Sequence, residues 1–206
     1  MATEATVNID KIAGETIQVP IVGTTPLIVH RFDEKAKRQM LDATQGKKTP
    51  KTPKDPQAEY EASLYRLKDG RYGFPVLAFK AASIGGARFY GKNQVTMTGL
   101  RQSMFFRGEP SEKGEQLVAI EGEPALREDV VRVGRGGADL RYRGQFMEWS
   151  ALLVVTYIPL ALSRDSVLSL IDAGGMGVGV GEWRPEKNGD YGTYQVDLTR
   201  RVEVLS

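Results

Sequence analysis

The chain has 206 residues, 41% of them hydrophobic, which suits one large domain with a real core and excludes wholesale disorder. Its 28 Lys and Arg nearly balance 26 Asp and Glu, so the placement of charge matters more than its sum. Cysteine is absent, which excludes disulfides, thiolate metal sites and cysteine nucleophiles together.

In chain order, "ETIQVPIVGTTPLIVH" alternates and is rich in β-branched residues, which predicts an opening strand bent at Gly23. "DEKAKRQMLDAT" then has helical spacing. "QGKKTPKTPKDPQ" offers no apolar face to bury, so a mobile loop is expected there. From Arg31 to Lys54, eight basic residues stand against three acidic ones, a local charge of +5. Lys35, Lys37, Arg38, Lys47, Lys48, Lys51 and Lys54 thus make residues 31–60 a basic inserted loop within a single domain spanning 1–206. "EYE", at Glu59 to Glu61, reads as a solvated face.

"ASLYRLKDGRYGFP" holds two strand-like runs around Asp69-Gly70, a hairpin signal. "VLAFKAASIGGARFYG" predicts a helix starting after Pro75, with Leu77, Ile84 and Ala87 on its buried face. Gly85 and Gly86 each cost such a helix about 1 kcal/mol relative to alanine, so they imply close contact with a neighbouring element. "TMTGLRQSMFF" contains a second short helix. "QLVAIEGEPALREDVVRVG" is extended, with a turn at Gly122-Glu123-Pro124.

In "ADLRYRGQF", Leu140 and Tyr142 alternate with Arg141 and Arg143, giving one apolar or aromatic face and one cationic face. "EWSALLVVTYI" is nearly continuous apolar sequence and predicts a central strand. Ser163 then caps a helix with Val167, Leu168 and Ile171 inward and Gly174 as its stop. "YGTYQVDL" closes as a strand. The expected fold is α+β: a ferredoxin-like or RRM-like antiparallel sheet with helices on one face, plus β-hairpin insertions and the basic loop.

"GGMGVGVGEWRPEKNGDYG", residues 174–192, resembles part of a dinucleotide fingerprint, but it follows a helix and leads to a strand, the reverse of what that fingerprint needs. Asp and Glu are scattered, so no metal site and no cofactor are expected. His30 is the one histidine, at the end of a strand, where a general base or a structural polar residue would both fit. The longest apolar run, "SALLVVTYIPLAL", is too short to span a membrane and is broken by Pro159, and no apolar leader is visible. A cytoplasmic protein without membrane contact is therefore expected.

Three clusters remain: the basic loop; Arg132, Arg135, Arg141, Tyr142 and Arg143; and Trp183, Arg184 and Lys187, flanked by Tyr191 and Tyr194. Cations follow a phosphate backbone and flat rings stack on unpaired bases, so single-stranded RNA or DNA is the expected partner.

Three local patterns, in order, carry a family resemblance. "IVGTTPLIVH" resembles the first strand of RAMP-superfamily proteins, the backbone subunits of CRISPR effector complexes. "GFPVLAFKAASIGGAR" is similar to their "IP-x-SS-x-K-G-x-x-R" element, with Lys80 and Arg88 on the helix and Ala81-Ala82-Ser83 where the Ser-Ser pair is expected. "GGMGVGVGEWRPEKNGDYG" resembles their C-terminal glycine-rich loop. The resemblance implies a modified RRM fold, a thumb-like basic loop, and subunits that stack along a strand as a homo-oligomer or within a larger complex. It implies glycines that let backbone approach RNA or a neighbouring subunit, with Trp183 and Arg184 supplying stacking and charge. The compact, cysteine-free chain extends the expectation to a phage-encoded relative acting in host cytoplasm, outside CRISPR.

The leading reading is a non-enzymatic single-strand binder, RNA before DNA, that oligomerises along its ligand. The alternatives are a structural, protein-binding subunit of a phage or other assembly, and an endoribonuclease that depends on His30.

Overall fold

The computed structural model describes residues 11–31, 38, 41–42, 44–46, 53–91, 96–133 and 137–205. The opening strand β1 (Glu15–Gly23) lies between β11 (Tyr194–Val196) and β10 (Ser150–Tyr157), and β5 (Met104–Arg107) flanks β10 on its far side. All these pairings are antiparallel. With a long helix (Val76–Gly86) among the elements between β1 and β5 and another (Arg164–Gly177) between β10 and β11, the order β11-β1-β10-β5 is the ferredoxin-like arrangement the sequence predicts.

Alternation builds the sheet. Ile17, Val19 and Ile21 of β1 stand opposite Val155, Leu153 and Ala151 of β10, and all six are buried. Thr16, Gln18 and Val22, with Thr156, Val154 and Ser150 opposite them, are half-buried on the other face. β10 is therefore central, as expected, but only one of its faces is fully covered.

The covering helices are α2 (Val76–Gly86) and α4 (Arg164–Gly177), which join the same hydrophobic core through Phe79, Ala82, Val167, Leu170 and Ile171. A Cβ on Gly86 would lie 2.6 Å from the Gly174 nitrogen, so the helices approach backbone to backbone where neither carries a side chain. The close contact expected at Gly85-Gly86 is thus present. Ser163 caps α4 as expected, its hydroxyl accepting from Ser166 N at 3.2 Å. Gly174 does not end α4. It is a packing residue, and the helix continues to Gly177. Leu77 is 71% exposed, contrary to expectation, because this crossing turns the opposite side of α2 inward.

The remaining elements are insertions. Between β1 and α2 come β2 (Leu27–Val29), α1 (Pro56–Ser63) and the hairpin of β3 (Tyr65–Arg66) with β4 (Tyr72–Pro75) around Asp69-Gly70. α3 (Met97–Ser103) leads into β5, and β6 (Glu109–Pro110) pairs with β7 (Gln116–Glu121), which also joins β4 and β10. β8 (Pro124–Val133) and β9 (Gly137–Phe146) form a long hairpin whose base pairs with β2 as a second sheet. β12 (Glu203–Leu205) returns to β1. Among the described residues no helix is long and apolar enough to cross a membrane.

α1 was not expected, since the Pro-rich stretch reads as loop through Gln57. Its start is nonetheless specified locally. Asp55 accepts from Gln57 N and Ala58 N, both at 3.1 Å, and Pro56 occupies the first turn. Tyr60, between half-buried Glu59 and exposed Glu61, is buried and donates to Pro124 O at 2.8 Å, pinning α1 to the hairpin base.

Candidate nucleic-acid interface

The stretch after α4 is a tightly bonded loop. Val180 N donates to Gly192 O at 2.9 Å, Tyr191 N to Trp183 O at 3.0 Å, and Glu186 N to Val178 O at 3.2 Å. Two bonds fasten it to the segment around β2: Glu182 N to Ile28 O at 3.0 Å and Gly192 N to Pro26 O at 2.8 Å. Gly181 has φ +80°, and a Cβ there would meet Ile28 O, so glycine is required for that contact. The glycines therefore face their own chain: Gly174 meets α2, Gly181 meets β2, and Gly175 would meet Tyr194. This replaces the expectation that they open the backbone to RNA or a neighbouring subunit.

The side chains on this loop are another matter. Trp183 has φ +56°, a left-handed conformation that bulky residues rarely take, and remains 44% exposed. A large ring is thus held out of the core by a strained backbone. Lys187, four residues further on, is exposed, whereas Tyr194 turns into the core and is buried. Arg184 is part-buried, donating to Gly181 O at 3.1 Å and pairing with Glu186 at 3.0 Å.

Between this loop, β4 and α2 lies a cleft of about 190 Å³. Phe74, Ala78, Ala82, Val178 and Val180 give it apolar walls, and His30, Glu182, Arg184 and Glu186 supply polar groups. His30 Nδ1 stands 4.0 Å from Glu182 Oε1. Tyr65 also lines the cleft, and burial, then the nearby Glu115 carboxylate, pushes its phenol above the usual range.

Past Ala81 and Glu186, which line both, the cleft opens into a groove of about 450 Å³ along the outer side of α2. Lys80, Ile84 and Arg88, spaced one helical turn apart, line one wall, with Met97 and Arg101 of α3 on the other. Lys80 Nζ sits 5.4 Å from the Phe105 ring centre and donates to Arg101 O at 3.3 Å. Arg88 is half-exposed, with its nearest carboxylate, Glu186, at 3.9 Å. Lys80, Arg88 and Arg184 are thereby brought to one continuous surface. Arg101, Phe105 and Glu182 join it without having been expected. The four-residue step from Met97 to Arg101 in "MTGLR", which puts both on one helix face, is the signal that would have found Arg101.

The hairpin is different. Its faces divide as expected, with Arg127, Asp129, Arg141 and Arg143 on one and Glu128, Leu140 and Tyr142 on the other. Arg143, however, is 1% exposed and binds Asp129 at 3.1 Å, so it cannot meet an external strand. Asp129 is also held by Arg127 at 2.9 Å, and the Arg127 guanidinium lies 4.9 Å from the Tyr191 ring centre. This chain of contacts ties the hairpin to the glycine loop. Arg132 is exposed, and Arg141 is partly exposed with Asp139 at 3.9 Å. Tyr142 is half-buried, and desolvation, then Glu128, raises its phenol pKa.

Of the basic loop, Arg38 is exposed and helical, and Lys54 pairs with Asp139 at 2.7 Å and donates to Leu140 O. Lys35, Lys37, Lys47, Lys48 and Lys51 lie outside the described residues, as does Arg135. Among the described residues no group of three His, Asp or Glu is placed to hold a metal ion.

No family model and no curated protein matches the sequence. Among solved structures, the chain is similar to Cmr6 from Pyrococcus furiosus, with TM-score 0.44 and 10% identity, covering 91% of this chain and 100% of that one. It is also similar to a chain of the Type III-B Cmr-beta bound to cognate target RNA, with TM-score 0.42 and 10% identity, covering 94% of this chain and 61% of that one.

Proposed function

We propose that the protein binds single-stranded nucleic acid, RNA in preference to DNA, without cleaving it, and does so as one subunit of a larger assembly on its ligand. The observation that carries this reading is the α2 groove. Lys80, Arg88 and Arg101 line one open channel, alongside Phe105, that runs into a cleft roofed by the loop bearing Trp183. Spaced cations beside flat rings suit a flexible strand whose phosphates and bases are both accessible. A duplex offers only its phosphates to such a groove.

The test is binding of fluorescent single-stranded RNA, single-stranded DNA and duplex DNA at two salt concentrations, followed by size-exclusion of each complex. Salt-sensitive binding to single strands, intact labelled RNA after incubation, and complexes that grow with strand length are the expected results. Equal affinity for duplex DNA, or no binding at low salt, defeats the proposal.

The protein-binding alternative has its own observation. Leu77 and Met176 are 71% and 76% exposed, and Phe89 is 58% exposed, all on or beside α2 and α4. Discrete assemblies that form without nucleic acid would favour it.

A further inference from the structure

Resting on that reading, we infer that the cleft beneath the glycine loop receives one unstacked base of the bound strand and selects bases that carry an exocyclic amino group. Size argues first. At about 190 Å³ the cleft lies below the roughly 300–1,000 Å³ of sites that enclose larger ligands, and it suits a single ring system. Its walls, Phe74 and Val180 among them, are apolar and suited to the faces of a flat ring.

The polar edge then decides which base. Arg184 is committed, with its guanidinium donating to Gly181 O and to Glu186. Glu186 is correspondingly neutralised. Glu182 is the carboxylate with acceptor capacity to spare: its oxygen is 4.0 Å from His30 Nδ1, longer than a hydrogen bond. A carboxylate accepts from the N4 amino group of cytosine or the N6 amino group of adenine. Uracil presents a carbonyl oxygen at the matching position, which the same carboxylate repels. The strand would reach the cleft along the groove, since Ala81 lines both, and Trp183 follows Glu182 directly in the chain.

Oligocytidylate against oligouridylate is the decisive pair, because the two pyrimidines match in ring size and differ at that edge. Affinities of ribo-oligomers of equal length are measured for the wild-type chain, Glu182→Gln and Ala81→Leu. The carboxamide of Gln both donates and accepts, and Leu at the exposed Ala81 position narrows the mouth without touching the core. The expected result is about tenfold tighter binding of oligocytidylate by wild type, falling to within about twofold in both variants. Salt-sensitive binding of both oligomers with equal affinity would overturn the base-selective cleft and leave the groove reading standing. A cytidylate preference unchanged in Glu182→Gln would overturn the assigned residue and with it the inference. No binding of either oligomer by wild type would overturn both readings together.

Discussion

The hairpin of β8 and β9 and the groove along α2 carry similar numbers of cations, yet they differ in what those cations can do. In the hairpin, Arg143 and Arg127 share Asp129, and Arg141 has Asp139 nearby. Those charges are spent inside the protein, holding two strands and the glycine loop together. In the groove, Lys80 and Arg88 project from an exposed helix face, and the nearest carboxylate to Arg88 is 3.9 Å away. One region uses arginine as a structural clamp and the other presents a positive field. Counting basic residues cannot separate the two; burial and partners can.

The largest effect that would break this comparison is on folding. Arg143→Ala leaves Asp129 with one partner in place of two at a buried site. It should cost about 3 kcal/mol, the low end for a broken buried pair, because Arg127 still holds the carboxylate. Thermal unfolding reads this as a drop on the order of 10 °C. An unchanged midpoint would mean that Arg143 is not a clamp.

Next comes Lys80→Ala/Arg88→Ala/Arg101→Ala, which should fold normally. Its affinity for single-stranded RNA should fall about 100-fold at low salt, and the slope of log K against log salt should flatten by about 2. Equal slopes would assign the phosphate contacts to the basic loop, whose Lys47→Ala/Lys48→Ala/Lys51→Ala/Lys54→Ala variant is the matching control.

Trp183→Ala should weaken binding by roughly tenfold with its salt slope unchanged, because stacking releases no counterions. Unchanged affinity would place Trp183 outside the contact, and a changed slope would mean that its loss disturbs the phosphate contacts instead.

The smallest effect sharpens the baseline. Glu15 accepts from the Tyr157 hydroxyl and then from Arg164, and these bonds hold its carboxyl below the usual 4.5. A group depressed in the folded state stabilises above its unfolded value and loses that contribution as pH falls through the folded one. Glu15→Gln should therefore melt slightly below wild type at pH 7, with the gap closing in acid. A constant gap would deny the linkage.

Much of the scaffold was legible in the residues themselves. The break at Gly23, the turn at Asp69-Gly70, the helix after Pro75 and the cap at Ser163 all follow from local rules that tertiary contacts did not override. Two misreadings share one cause. Gly174 resembles a helix stop, and Leu77 sits in a segment apolar on every side, so periodicity could not choose its inward face. The α2–α4 crossing decided both, and a crossing is not a local property. Arg143 was misplaced for a similar reason. Alternation assigned its face correctly but says nothing about what covers that face. Asp55-Pro56 was the overlooked signal for α1, hidden by the Lys-Thr-Pro repeats before it.

Trp183 leaves a thermodynamic signature of its own. Replacing alanine by glycine normally weakens a protein through the entropy of the unfolded chain. At φ +56° the order should invert, because both replacements lose the indole and glycine alone escapes the left-handed penalty of about 1 kcal/mol. Trp183→Gly should therefore melt above Trp183→Ala in differential scanning calorimetry. A position where the more flexible residue is the more stabilising one is a position where the fold has traded stability for the side chain it displays.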